Sequence, residues 1–177
     1  MSDLNILLAG FGGQGILFTG KVIAYAGLTE NKEVSWLPSY GPEMRGGTAN
    51  CSVCLSDNKI GSPLVTNPDV LVAMNLPSLE KFENEVVPGG MIIVDSSIID
   101  KKVARDDVKV IYLPASEIAE NAGIKGAANM VILGKLFKET NFCSTENLDR
   151  GLQKTIPAKK MDLLDKNRLC IKLGTEN

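Results

Sequence analysis

The 177-residue chain contains no histidine. Catalysis by Ser-His-Asp or Cys-His groups is therefore excluded, as are zinc held by histidine and haem attached through CxxCH. Any general base in this chain must be an Asp, Glu, Lys, Tyr or Cys side chain, or must belong to another chain.

Cysteines are also few: Cys51, Cys54, Cys143 and Cys170. Their spacing forms no ferredoxin-type cluster motif, and it favours free thiols in a cytosolic chain over a disulfide scaffold. Cys51 and Cys54 form a CxxC pair inside a strand pattern, where an odd separation turns two side chains to opposite faces. We interpret this pair as small buried hydrophobic residues and not as a redox or metal site.

The sequence also has little excess of either charge, with 19 Lys and Arg against 21 Asp and Glu. This balance gives no long-range field that would attract nucleic acid or an acidic membrane. The N-terminus lacks the basic and apolar regions of a signal peptide, and no apolar run reaches about 18 residues. We expect one soluble, cytoplasmic domain over residues 1–177, with no nucleic-acid or membrane partner.

Short apolar strands alternate with helices along the chain. Strands are predicted at 5–9, 33–38, 48–56, 69–74, 91–95 and 108–113, and helices at 14–28, 76–85, 115–122, 126–138, 145–154 and 159–173. The connection before the third strand is too short for a crossover helix, so that strand is predicted to run antiparallel to a neighbour. The fold class is therefore α/β: a three-layer Rossmann-like domain with a mixed, mostly parallel sheet and a helical C-terminal third.

A glycine-rich turn, Gly10-Phe11-Gly12-Gly13-Gln14-Gly15, follows the first strand and opens the first helix. It matches GxGxxG, in which glycines and free amides at a helix start favour an anion. The acidic residue that dinucleotide sites place after the second strand is missing. Three interpretations stay open: tight packing or subunit contact, binding of a phosphate-bearing ligand, and, least favoured without that acid, binding of NAD or FAD. The candidate ligand residues are Gly12, Gly13, Gln14, Gly15 and Ser96, the last of which follows the strand 91–95 and could instead cap the next segment.

Two further features are candidates for contact with a partner. The segment 39–47, Ser-Tyr-Gly-Pro-Glu-Met-Arg-Gly-Gly, is shaped by glycine and proline at both ends and predicts a recognition loop. Its interface candidates are Tyr40, Glu43, Met44 and Arg45, although Glu43 and Arg45 could simply pair on the surface. Asn129, at an otherwise apolar helix start, is a further interface candidate that could also cap that helix or bond to the glycine turn.

The C-terminal third carries a run of basic residues. This run is predicted to be the solvated face of an amphipathic helix: Lys159, Lys160, Lys166, Arg168 and Lys172.

Three motifs together resemble the gamma subunit of 2-oxoacid:ferredoxin oxidoreductases. These are GFGGQG at 10–15, SYGPEMRGG at 39–47, and Ala128-Asn129-Met130 followed by Leu133-Gly134. They occur in order and at compatible spacing over nearly the whole chain. A short free-standing chain of this kind is most similar to the 2-oxoglutarate type, while pyruvate, branched-chain oxoacid and indolepyruvate enzymes share the module.

The resemblance implies a role inside a multi-subunit enzyme. Such enzymes decarboxylate a 2-oxoacid oxidatively to an acyl-coenzyme A and reduce ferredoxin. Thiamine diphosphate with Mg lies between alpha and beta subunits, and iron–sulfur clusters belong to beta or to a ferredoxin-like delta subunit. The gamma chain would carry no cluster and no catalytic residue, would be inactive alone, and could contribute to the approach of coenzyme A.

The lack of histidine and of cluster-forming cysteines agrees with that role. The charge-poor helices at 14–28 and 126–138 would then be covered by other subunits. Two other classes remain open: an independent nucleotide-binding oxidoreductase, and an assembly subunit without ligand contact.

Overall fold

The computed structural model describes residues 3–39 and 48–177. Within them the strands are β1 (Leu4–Phe11), β2 (Glu33–Ser39), β3 (Thr48–Ser56), β4 (Val70–Ala73), β5 (Met91–Asp95) and β6 (Lys109–Leu113). The α-helices are α1 (Ile16–Thr29), α2 (Leu76–Phe82), α3 (Ala115–Asn121), α4 (Ala128–Thr140), α5 (Thr145–Thr155) and α6 (Leu164–Glu176). Short 3-10 segments cover Glu83–Glu85 and Ala158–Leu163.

The strands form one mixed sheet in the order β2-β3-β1-β4-β5-β6. Strands β1, β4, β5 and β6 run parallel, and β3 runs antiparallel to both β1 and β2. The predicted α/β class, the mixed sheet and the antiparallel third strand are thus confirmed.

Two apolar clusters lie on opposite faces of the sheet and define three layers. Side chains alternate along β1, so Ile6 and Leu8 join the larger cluster while Leu7 and Ala9 join the smaller one. Helices α1, α4, α5 and α6 build the larger cluster, and α2 builds the smaller one. The helix that follows β1 and the helix that follows β4 therefore lie on opposite faces of the sheet.

The charge-poor helices α1 and α4 are covered by helices of the same chain. Glycines allow this contact: a Cβ at Gly151 of α5 would lie 2.8 Å from the carbonyl oxygen of Val22 in α1. A Cβ at Gly134 of α4 would lie 1.9 Å from the carbonyl oxygen of Ile171 in α6. The expectation that other subunits cover these two helices is therefore wrong for the faces that α5 and α6 occupy.

Local backbone signals explain two helix boundaries. Helix α2 begins at the side chain of Asn75, whose Oδ1 accepts a hydrogen bond from the amide of Ser78 at 2.8 Å. The helix predicted over 159–173 begins only at Leu164, because Lys160 has φ −124° and ψ 25° inside a 3-10 segment with no buried residue.

None of the helices in the described ranges is both long and apolar enough to cross a membrane.

Candidate functional site

The glycine turn lies at the carboxyl end of β1, beside its parallel neighbour β4. The helix that follows β1 packs on one face of the sheet, and the helix that follows β4 packs on the other. In open α/β sheets such a switch point opens a crevice at the carboxyl ends of the strands, where ligands bind. The residues that shape the turn are therefore the first candidates for a site.

Gln14 ties the glycine turn to β4. Its Oε1 accepts a hydrogen bond from the amide of Phe11 at 2.6 Å, and its Nε2 donates to the carbonyl of Met74 at 2.8 Å. A Cβ at Gly10 would lie 2.6 Å from that Oε1, so the side chain fills the space that glycine leaves. The structure thus uses the Gln14 amide group to hold the turn, and the role of Gln14 as a ligand residue stays a prediction.

Asn129 ties the same turn to α4. Its Nδ2 donates to the carbonyl of Gly15 at 3.3 Å and to the hydroxyl of Thr19 at 3.1 Å. Gly15 has φ +78°, and a Cβ there would lie 2.3 Å from Nδ2. Of the alternatives for Asn129, the structure thus contains the bond to the glycine turn. A contact of this buried residue with a partner stays a prediction.

The remaining part of the turn is open. Gly12 and Gly13 are exposed, and Gly13 has φ +95° with no atom within 4 Å of an added Cβ. Helix α1, which follows, has no side-chain cap and no acidic residue in its first turn. Its first amides and the positive end of its dipole are therefore available to an anion.

A cavity of about 580 Å³, here called the lysine cleft, opens beside this turn. Four lysines line it, each from a different element: Lys21 of α1, Lys125 before α4, Lys160 of the 3-10 segment and Lys166 of α6. No Asp or Glu is among those of its lining residues that the structure describes. The start of α4, also without a side-chain cap or an acidic residue in its first turn, borders the same cleft.

Most of this positive charge is not neutralised within the described residues. Lys125 pairs loosely with Glu120 at 3.8 Å, and Lys21 lies 5.8 Å from the centre of the Tyr25 ring. Lys160 and Lys166 have no ion-pair partner in the described ranges. Four ammonium groups and two uncapped helix starts around one cavity, in a protein of net charge −2, form a site suited to a polyanion.

The topology bears on whether the GxGxxG turn could form a dinucleotide site. Strand β3 separates β1 from β2, so the end of β2 lies two strand spacings, about 9–10 Å, from β1. Within residues 3–39 and 48–177, no carboxylate that could hold ribose hydroxyls lines the cleft. Among the described residues the site offers phosphate contacts without the acidic group that selects a dinucleotide.

Ser96 does not line the lysine cleft, because β4 lies between β1 and β5. Its neighbours cap α3: Asp95 Oδ2 accepts from the hydroxyl of Ser116 at 2.6 Å, and Ser97 Oγ accepts from the amide of Glu117 at 3.0 Å. The capping alternative is the one for which the structure gives contacts, and a ligand role for Ser96 stays a prediction.

The interface candidates Tyr40, Glu43, Met44 and Arg45 lie outside the described residues, so their role stays a prediction.

Cys51, Cys54 and Cys170 are buried free thiols, and Cys143 is half-buried. Burial raises the pKa of Cys51 and of Cys143 to about 12, and burial also raises the pKa of Cys54 and Cys170. Cys51 belongs to the larger apolar cluster, while Cys54, three residues on, does not. The described ranges contain no group of three or more His, Cys, Asp or Glu that could hold a metal.

Sequence reasoning missed the lysine cleft. Lys160 and Lys166 were assigned to a solvated helix face, and they are exposed, but they face a cavity shared with residues far away in sequence. One signal was available: Lys21 is the only charge in the segment 14–28, and a single cation on an apolar helix can indicate a specific contact.

Comparison with known proteins places these features in a family context. The family model for pyruvate ferredoxin/flavodoxin oxidoreductase matches residues 5–177. The ketoisovalerate oxidoreductase subunit VorA of Methanothermobacter thermautotrophicus is 40% identical over 174 residues, which are 98% of this chain and 36% of VorA. The 2-oxoglutarate synthase subunit KorC of Methanocaldococcus jannaschii is 35% identical over 97% of this chain and 92% of its own length. The chain thus spans about a third of VorA but nearly all of KorC.

Solved structures agree with this match. The gamma subunit of a keto/oxoacid ferredoxin oxidoreductase from Geobacter sulfurreducens superposes with a TM-score of 0.84 at 26% identity, covering 98% of this chain and 96% of that one. The 2-oxoglutarate:ferredoxin oxidoreductase of Magnetococcus marinus, solved with 2-oxoglutarate, coenzyme A and succinyl-CoA, gives a TM-score of 0.88 at 27% identity. The match covers 99% of this chain and 31% of that one.

Proposed function

Since the chain belongs to the pyruvate ferredoxin/flavodoxin oxidoreductase family, we propose that it is the gamma subunit of a cytoplasmic 2-oxoacid:ferredoxin oxidoreductase. Its partners are alpha and beta chains, and a delta chain where the clusters are carried separately. In this proposal residues 1–177 act as one domain, and the isolated chain has no oxoacid oxidation activity.

The residues of this chain support a non-catalytic role. It has no histidine, and its four cysteines are distributed over β3, a loop and α6. Within the described ranges no donor set fits an iron–sulfur cluster, and no acidic cluster fits the magnesium of thiamine diphosphate. Oxidative decarboxylation and electron transfer therefore belong to other chains of the complex.

The lysine cleft is the observation that carries the ligand part of the proposal. Coenzyme A presents a diphosphate and a ribose phosphate, and its thiol accepts the acyl group. Lys21, Lys125, Lys160 and Lys166 would neutralise those phosphates, while the open amides of Gly12 and Gly13 would donate to them. The cleft fits the phosphates of this cofactor, and it would hold them without taking part in the bond changes.

The substrate we propose is 2-oxoglutarate, because KorC and the Magnetococcus marinus enzyme, which was solved with 2-oxoglutarate, both match this chain over nearly all of its residues. A second candidate is the branched-chain acid ketoisovalerate, which the higher identity to VorA favours. The purified complex, assayed with both acids, distinguishes the two: the physiological substrate has the higher kcat/KM.

A matched pair of lysines tests the cofactor role. Lys160→Gln should raise the KM for coenzyme A of the assembled enzyme about five- to tenfold, because one charged contact to phosphate is lost. Lys159→Gln, in the same 3-10 segment but outside the cleft, is the control and should leave that KM unchanged. Equal coenzyme A kinetics for the two variants would contradict a role of the cleft in binding this cofactor.

The segment 39–47 is proposed as a contact with the alpha or beta chain. Arg45→Ala should leave the melting temperature of the lone chain nearly unchanged and weaken its capture by the partner chains. A suitable control is Arg150→Ala, since Arg150 is an exposed residue of α5 that pairs only with Glu146 in the described part of the chain. If Arg45→Ala unfolds the free chain while the complex that still forms has normal activity, the segment is structural.

A further inference from the structure

Among the described residues of the lysine cleft, every charged group is a cation, and the rest of the lining is apolar or consists of polar groups that mostly bond elsewhere. We propose that it binds polyphosphate chains without selecting the rest of the molecule, so that nucleoside triphosphates compete there with coenzyme A. The competition rests on the proposed function, whereas the binding of polyphosphate rests on the cleft alone.

The neutral polar side chains of the lining are mostly engaged elsewhere. Thr155 donates its hydroxyl to the carbonyl of Gly151 at 2.8 Å, and both donors of the Asn129 amide point to Gly15 and Thr19. Asn167 is the one amide side chain of the lining for which no hydrogen bond exists in the described residues. A base or a sugar would thus find few specific partners.

Stacking and carboxylate contacts are equally scarce. Among the described residues of the lining, Phe18 is the one aromatic residue, and none is an Asp or Glu. Aromatic faces and carboxylates are the groups with which proteins usually hold the base and the ribose of a nucleotide. Binding energy must therefore come from the phosphates.

The cations themselves are of the less selective kind. All four are lysines, and no arginine is found in the part of the lining that the structure describes. An ammonium is a point charge on a flexible stem, whereas a guanidinium fixes the geometry of the oxyanion that it binds. Four flexible ammonium groups can follow a linear triphosphate as well as the separated phosphates of coenzyme A.

The consequence is regulation by the nucleotide pool. A triphosphate that fills the cleft excludes coenzyme A, so ATP should raise the apparent KM for coenzyme A without lowering kcat. Adenosine, which lacks phosphate, should have no effect. The acyl transfer step would then slow when triphosphates are abundant relative to coenzyme A.

The first experiment measures binding to the full chain by calorimetry, with inorganic triphosphate, ATP and adenosine as probes. We expect triphosphate and ATP to bind with affinities within about threefold of each other and to weaken with added salt. Adenosine should not bind. Absence of triphosphate binding, or binding of adenosine as strong as that of ATP, overturns the proposal.

The second experiment measures the assembled enzyme at varied coenzyme A and ATP. We expect competitive inhibition that Lys160→Gln weakens about five- to tenfold and that Lys159→Gln leaves unchanged. If the lone chain binds triphosphate but ATP does not compete with coenzyme A, regulation is refuted, and the coenzyme A assignment of the cleft fails with it. If the lone chain does not bind triphosphate while Lys160→Gln still raises the KM for coenzyme A, the cofactor role stands and charge-only recognition fails.

Discussion

The two left-handed glycines of the β1–α1 turn should respond very differently to alanine. At Gly15, with φ +78°, alanine costs about 1 kcal/mol of backbone strain. Its Cβ would also lie 2.3 Å from Asn129 Nδ2 and would force that side chain away from two acceptors. With about 0.5–1.5 kcal/mol for each hydrogen bond, the total loss of unfolding free energy is about 2–4 kcal/mol.

Gly13 provides the matched control. It has φ +95° but no atom within 4 Å of an added Cβ, so alanine there introduces strain without a clash. Gly13→Ala should cost only about 1 kcal/mol. The difference between the two variants isolates the clash of the Gly15 methyl group with Asn129.

Equilibrium urea unfolding of both variants measures these free energies, and a double-mutant cycle identifies the cause. In the Gly15→Ala background, Asn129→Ala should cost far less than in the wild type, because its hydrogen bonds are already broken. Equal losses for Gly13→Ala and Gly15→Ala, or additive effects of Gly15→Ala and Asn129→Ala, would refute the role given to Asn129.

Three further outcomes follow from the packing, the thiols and the charges. Gly134→Ala should lower the free energy of unfolding, measured in urea, by about 1–3 kcal/mol or more, since the new Cβ would lie 1.9 Å from the Ile171 carbonyl oxygen. Gly61→Ala is the control: its Cβ meets no atom within 4 Å, so the change should be near neutral. At pH 8, Cys51 should be alkylated roughly a thousandfold more slowly than an ordinary thiol, because its pKa is raised from 9.0 to about 12. Mass spectrometry measures the labelling, and fast labelling in the native state would contradict the burial of Cys51. Two lysines lower the pKa of Glu139 below its usual 4.5, so its contribution to stability is present above that value and is lost as pH falls through the lowered pKa. The stability difference between wild type and Glu139→Gln should therefore shrink in acid, and a difference that is constant from neutral pH to about pH 3 would exclude this linkage.

The order of elements could be predicted from the sequence because each strand is a short apolar run between turn residues. Strand β3 was predicted antiparallel from the shortness of its connection alone, and it pairs in this way with β1 and β2. Periodicity could not locate the start of α6, because the 158–163 segment carries helix-forming residues and only its backbone angles at Lys160 interrupt the helix.

The site was predictable only in part. The glycine turn follows from a local motif, whereas the lysine cleft brings together Lys21, Lys125 and the 160–166 region, which are distant in sequence and adjacent only after folding. Burial of α1 and α4 was correctly inferred from their low charge. The sequence did not indicate which elements cover these two helices. Glycines such as Gly134 and Gly151 indicate close helix contact only once the facing backbone is known.

The bond between Asn129 and Gly15 joins residues 114 positions apart in the chain. A ribosome adding about 5–20 residues per second delivers Asn129 on the order of ten seconds after Gly15. Lys160 and Lys166 emerge later still, so the polyanion site is completed only when the last two helices dock against a sheet made long before them. The glycine turn and Lys21 are thus synthesised early, whereas the proposed polyanion site receives its last two lysines only near the end of synthesis.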